Sequence, residues 1–97
     1  MFSIIMKNNI IKKNQTFIIA EIGNNHEGNF KLAKKMISVA WRCGVSAVKL
    51  QHIVPEKFFS KKKQIIKYKK FQFSDQQINN LINFAKKKKN FIILDIL

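Results

Sequence analysis

The chain has one cysteine, one proline and three glycines in 97 residues, and only five acidic residues against nineteen basic ones. A single thiol closes no internal disulfide, which excludes a disulfide-stapled scaffold and points to a reducing compartment. Cys43 falls within an apolar helical pattern and reads as buried filler rather than as a nucleophile. The three glycines complete neither a dinucleotide-binding nor a P-loop pattern. No apolar run reaches membrane-spanning length. The opening "MFSIIMKNNIIKKNQ" has too short an apolar core and no small-residue cleavage site, so no signal peptide is expected. A cytoplasmic protein that does not meet the membrane is the expectation.

What is abundant is lysine. A net charge of +14 ordinarily suggests nucleic acid or an anionic surface. Isoleucine, lysine and asparagine together make up 44 of the 97 residues, and all three have A/T-rich codons. Mutational drift toward A and T enriches them together whatever the partner. The lysine excess is therefore discounted, and nucleic acid is not the expected ligand. The apolar share of 46% suits one small folded domain.

Residues 1 to 15 read as a lead-in, with "FSIIM" as a short strand. "FIIAEI", residues 17 to 22, is an apolar run ended by Gly23, as expected of a strand buried on both faces. Asn29 caps a helix reaching about Cys43, with Ala33, Met36, Ile37 and Ala40 on one face and Gly44 as its stop. "VSAVKLQ", residues 45 to 51, reads as a second strand. A long basic connection follows, from 52 to 73. Ser74 and Gln77 form a capping box for a helix with Ile78, Leu81, Ile82 and Ala85 on one face. The four lysines 86 to 89 sit where the helix dipole favours cations. "NFIILDIL" reads as a third strand. Strands alternating with helices predict an α/β fold with a parallel sheet.

In such folds, sites form at the C-terminal ends of the strands. Glu21 ends an otherwise apolar strand, where an unpaired carboxylate is costly. Lys49 ends the neighbouring strand. The pair is either a structural ion pair or the polar floor of a site in which the lysine meets a phosphate or carboxylate. Gln51 lies on the same edge. Asn24, Asn25 and His26 occupy the loop, and Gly23 and Gly28 bracket it. An Asn-His pair before a glycine also suits a plain turn. Two histidines with no acidic cluster near them do not make a metal site. Phe71 and Phe73 near Tyr68 give basic residues aromatic neighbours, as in single-strand nucleic-acid binders, and their spacing equally suits packing.

"FIIAEIGNNHEGNFKLAKKMI" followed by "GVSAVKLQ" resembles the N-terminal part of the sialic acid synthase family. The pattern is A-E-I-G-x-N-H-x-G, a helix, and A-V-K-x-Q about twenty residues later. "KKFQFSDQQINNLINFAKKKKNFII" resembles the family's next helix and strand. The resemblance covers about residues 16 to 93 and sets residues 16 to 97 as the N-terminal part of a (β/α)8 TIM-barrel domain, incomplete here. It implies condensation of phosphoenolpyruvate with an N-acetylated hexosamine such as N-acetylmannosamine, giving a sialic or related nonulosonic acid. It also implies a divalent metal, Mn²⁺ or Mg²⁺, whose ligands are not in this chain, and a homodimeric full-length enzyme. Carried over by motif, Glu21 matches the active-site acid and Lys49 a lysine that contacts phosphoenolpyruvate. Gln51 matches a glutamine near the amino-sugar, and Asn25 and His26 match the Asn-His of the signature and are counted with Lys49 and Gln51 as substrate-binding residues.

Two departures accompany the resemblance. A barrel needs roughly 250 residues, so this chain alone is expected to be inactive. The family's third strand ends in Ser-Thr-Pro-Phe, whereas this sequence reads "LDIL", with Asp95 in the threonine's place. The change is confined to the last four residues, which suggests a frame shift after about Ile93. DNA downstream encoding the rest of a barrel is the expected sign of it. Two alternatives stand beside this reading. One is a small basic nucleic-acid-binding α/β module. The other is one chain of a split synthase.

Overall fold

A computed structural model of the chain describes residues 2–5, 16–88 and 91–96. The expected lead-in over residues 1 to 15 lies outside the described residues, apart from strand β1, Phe2–Ile5. The other strands are β2, Ile19–Gly23, β3, Ala47–His52, and β4, Phe91–Ile96. The helices are α1, Phe30–Arg42, α2, Pro55–Phe58, α3, Lys62–Lys69, and α4, Asp75–Lys87. The strands form one sheet in the order β1-β4-β3-β2. β2, β3 and β4 run parallel, while β1 lies antiparallel on β4, pairing Phe2 with Asp95 and Ile5 with Ile92.

The two long helices start where their caps dictate. The Asn29 side chain accepts from the Leu32 N–H at 3.0 Å. The Ser74 hydroxyl accepts from the Gln77 N–H at 3.1 Å, while the Gln77 side chain accepts from the Ser74 N–H at 2.9 Å. Each such cap satisfies donors that the first turn leaves open. α1 is followed, after its C-cap Cys43, by Gly44, whose φ of +83° a residue with a Cβ rarely adopts. Ala33, Ile37 and Ala40 from α1, and Ile78, Leu81 and Ala85 from α4, are buried. They pack on Ile22, Val48, Leu50, Ile92 and Leu94 of the sheet, forming the core. Because side chains alternate along a strand, Lys49, Gln51 and Asp95 emerge on the opposite face from Val48, Leu50 and Leu94.

Three features differ from expectation. Cys43 is exposed; it is the α1 C-cap, one residue past the turn that faces the core. The basic connection holds two short helices, α2 and α3. α3 buries no residue and has no capping side chain, so it carries neither an apolar stripe nor a start signal. The short strand read in "FSIIM" is present as β1, but it joins the sheet as a fourth strand by pairing with the edge of β4, a pairing that was not expected.

β2 is an edge strand and not the strand buried on both faces that the apolar run suggested: Ile19 within it is 46% exposed and Ile18 just before it 51%. Unpaired apolar edges template association between chains. The 97-residue chain is therefore expected to self-associate at micromolar concentration, and Ile18→Lys should shift it toward monomer in sedimentation velocity. A native chain that is monomeric and melts cooperatively would contradict this.

Candidate active site at the sheet edge

β2 and β3 set the first two residues side by side, with Glu21 and Lys49 paired in the parallel register. Beyond them the register shifts between Glu21 and Gly23, and Gly23 takes φ of +57°. A bulge of this kind bends the strand end and re-aims the chain. A Cβ at Gly23 would lie 3.5 Å from Glu21 Oε1 and 4.0 Å from the Gln51 side chain, so the backbone forms one wall of the site.

Lys49 Nζ stands 3.5 Å from Glu21 Oε2 and 3.8 Å from Asp95 Oδ2. Both distances exceed hydrogen-bond range, so the ammonium sits in the field of two carboxylates and is bonded tightly to neither. The Lys49 side chain is 32% exposed, Asp95 23% and Glu21 55%. Solvent therefore reaches all three. One step further along the strands, Gln51 is the register partner of Asp95. Its Oε1 accepts from Asn24 Nδ2 at 2.9 Å, which ties the loop to β3.

The loop after Gly23 is a chain of turns. Asn25 N–H donates to Ile22 O at 3.0 Å, Glu27 N–H to Asn24 O at 2.9 Å and Asn29 N–H to His26 O at 2.9 Å. Asn25 is exposed. His26 is fully buried, with its ring centroid 4.4 Å from that of Phe73. Its Nδ1 accepts from the Gly28 N–H at 3.0 Å, which places the ring proton on Nε2. Among the described residues Nε2 has no hydrogen-bond partner. Burial pushes the His26 pKa down from its ordinary value, because desolvation disfavours the charged ring. Gly28 has φ of +76°, and a Cβ there would run into the Lys70 carbonyl oxygen. The loop is thus pressed against the connection before Phe73, and only glycine allows the approach.

The structure gathers Glu21, Lys49 and Gln51 at one edge. It places Asn25 in the loop beside them and turns His26 into the packing against Phe73. Two further polar groups join the edge. Asn24 follows directly on the bulge glycine, and that position is its only sequence signal. Asp95 joins because three parallel strands end in register. Among the described residues no three His, Cys, Asp or Glu side chains come together as a metal-binding group. No described helix is long and apolar enough to cross a membrane. In the basic connection, Phe59 and Tyr68 stack at 4.7 Å and Phe71 meets Tyr68 at 5.8 Å, so these rings pack on one another.

The two long helices on one face of parallel strands, with charged and amide side chains at the strand C-termini, define a βα-repeat arrangement with a candidate site at the sheet edge. An uncharacterized protein of Methanocaldococcus jannaschii is 36% identical over 77 residues, covering 78% of this chain and 23% of its own length. The N-acetylneuraminate-9-phosphate synthases of Mus musculus and Homo sapiens are 46% identical over 50 residues and 48% over 46. Those spans are 52% and 47% of this chain, and 14% and 13% of the synthases. No protein-family model matches. A crystal structure of the N-acetylneuraminic acid (sialic acid) synthetase of Leptospira borgpetersenii, in complex with citrate, superposes with a TM-score of 0.82 at 30% identity. It covers 98% of this chain and 34% of that one. The chain belongs to the sialic acid synthase family. It spans a quarter or less of the curated relatives it matches.

Two measurements probe the loop, best made in the Ile18→Lys background. Gly28→Ala should cost about 3 kcal/mol of stability in urea unfolding, as expected where a strained φ meets a backbone clash. A loss below about 0.5 kcal/mol would show that the loop can move off Lys70. His26 is neutral in the fold and its pKa there lies below the unfolded value of 6.5, so the unfolded chain binds the proton first. The stabilisation is complete above pH 6.5 and declines as pH falls from there toward the folded value. Melting temperature should drop across that window in the native loop and lose this component in His26→Gln.

Proposed function

We propose that the chain is the N-terminal part of a (β/α)8 synthase that condenses phosphoenolpyruvate with an N-acetylated hexosamine, giving a sialic or related nonulosonic acid. The observation that carries this reading is the cluster of Glu21, Lys49 and Gln51 at the C-terminal edge of parallel strands, in a chain of this family. In this reading β2, β3 and β4 are the first three barrel strands, and the polar face of the sheet is the barrel interior. The 97 residues supply one side of the site and are inactive without the rest.

The roles follow from the side chains. Lys49 offers a mobile point charge to a phosphate or carboxylate. Glu21, about half exposed and beside that charge, is placed to hold or take a proton at the reacting partner. Gln51, held by Asn24, has its amide N–H groups left to donate to a sugar hydroxyl or N-acetyl oxygen. Asn25 is exposed at the same edge and serves as a further sugar contact. His26 supports the loop from below through Gly28 and Phe73. The divalent ion that the family implies, Mn²⁺ or Mg²⁺, finds no ligand group among the described residues. The homodimer and the cytoplasmic location belong to the same reading of the whole enzyme.

The test is complementation. Joined to the remaining two-thirds of the fold from a relative, Lys49→Ala should lose about 2–4 kcal/mol of transition-state stabilisation, seen mainly as weaker use of phosphoenolpyruvate. Glu21→Gln should lower kcat with little change in KM for phosphoenolpyruvate. Unchanged kinetics in both variants would reduce the likeness to one of fold.

A further inference from the structure

Lys49 is the only cation among the described residues that forms an ion pair at the sheet edge, and it is shared between two carboxylates. Glu21 reaches it from β2 and Asp95 from β4, one on either side of β3. The three formal charges sum to −1. An incoming phosphate therefore meets a negative cluster, where a Glu21–Lys49 pair alone would be neutral.

We propose that Asp95 is a specificity-determining residue of this edge: it holds the Lys49 ammonium against multiply charged anions. The inference rests on the reading of Lys49 as the anion-binding group. Geometry supports it in three ways. Asp95 lies 3.8 Å from Nζ, close enough to compete for the charge and too far to be fixed by a hydrogen bond. Its side chain is 23% exposed and that of Lys49 32%, so their field is only partly screened by water. Asp95 also faces Gln51 across the strand pair, on the path along which a ligand contacting both Lys49 and Gln51 would lie. A carboxylate there repels the ligand directly as well as through Lys49. The bulge at Gly23 and the Asn24–Gln51 bond do not involve Asp95. Its removal thus leaves the rest of the edge in place.

The experiment is a titration of the ¹⁵N-labelled Ile18→Lys chain, followed by amide shifts of residues 21–24, 49–51 and 93–95. Inorganic phosphate and phosphoenolpyruvate are the two probes. Asp95→Asn and Asp95→Ser should each bind phosphoenolpyruvate about 10- to 100-fold more tightly than the Asp95 chain, the range expected for removing one nearby negative charge. Adding Lys49→Ala to Asp95→Asn should abolish the gain. Equal, Lys49-dependent binding with and without Asp95 would overturn the proposal and leave the phosphoenolpyruvate reading intact. A Lys49-dependent gain for inorganic phosphate with no binding of phosphoenolpyruvate would support Asp95 as the charge-setting residue and remove the proposed substrate. No binding of either anion by any variant would overturn the proposal for this edge, and the phosphoenolpyruvate reading would then rest on the complementation kinetics. Dispersed amide spectra of the two Asp95 variants exclude unfolding as the cause of a negative result.

Discussion

Parallel pairing of β2 with β3 is the constraint on which the rest of the structure depends. It sets Glu21 against Lys49 and requires both strands to end on the same edge. The connection between them has to cross the sheet, which α1 does, and that crossing brings Ala33 and Ile37 into one buried cluster with Val48 and Leu50. The same pairing sorts the two sheet faces. Val48, Leu50, Ile92 and Leu94 join the core with the helices, while Lys49, Gln51 and Asp95 stand on the other face. A slip of one residue would exchange the faces, burying Lys49 under α1 and exposing Leu50. Core and site are therefore fixed by one register.

Much of this was legible from residue order. Asn29 and the Ser74–Gln77 box marked helix starts because capping chemistry is local. Ala33, Ile37, Leu81 and Ala85 were recognisable by spacing because helical periodicity is local too. Glu21 and Lys49 stood out as charges ending apolar strands. What escaped was set by tertiary context. α3 buries nothing, so no pattern announces it. Cys43 shares the apolar neighbourhood of α1 in sequence but sits at its exposed end. The position of β1 beside β4 is a long-range pairing that four apolar-rich residues cannot encode alone. The part of Asp95 at the edge depends on how three strands align, a property of the sheet and not of "LDIL".

The loop between β2 and α1 shows why a glycine-rich, polar stretch follows an apolar strand. Gly23 lets the strand end fold against Glu21 and Gln51. Gly28 lets the loop touch the backbone at Lys70. Between them His26 fills the space above Phe73 and accepts a backbone N–H. Asn24 reaches up to β3 while His26 reaches down, so one short loop braces the edge from both sides. Preorganisation of this kind is what a site on a loop needs if its geometry is to be held.

The antiparallel seat of β1 has a directional consequence. Phe2 is the register partner of Asp95, so the chain enters the sheet at the level where β4 finishes and the charged edge lies. A tag or fluorophore carried on Phe2 itself would therefore sit beside Asp95, next to the charged edge. A label intended to stay clear of that edge belongs on the exposed thiol of Cys43, at the far end of α1, where the chain turns back toward the start of β3.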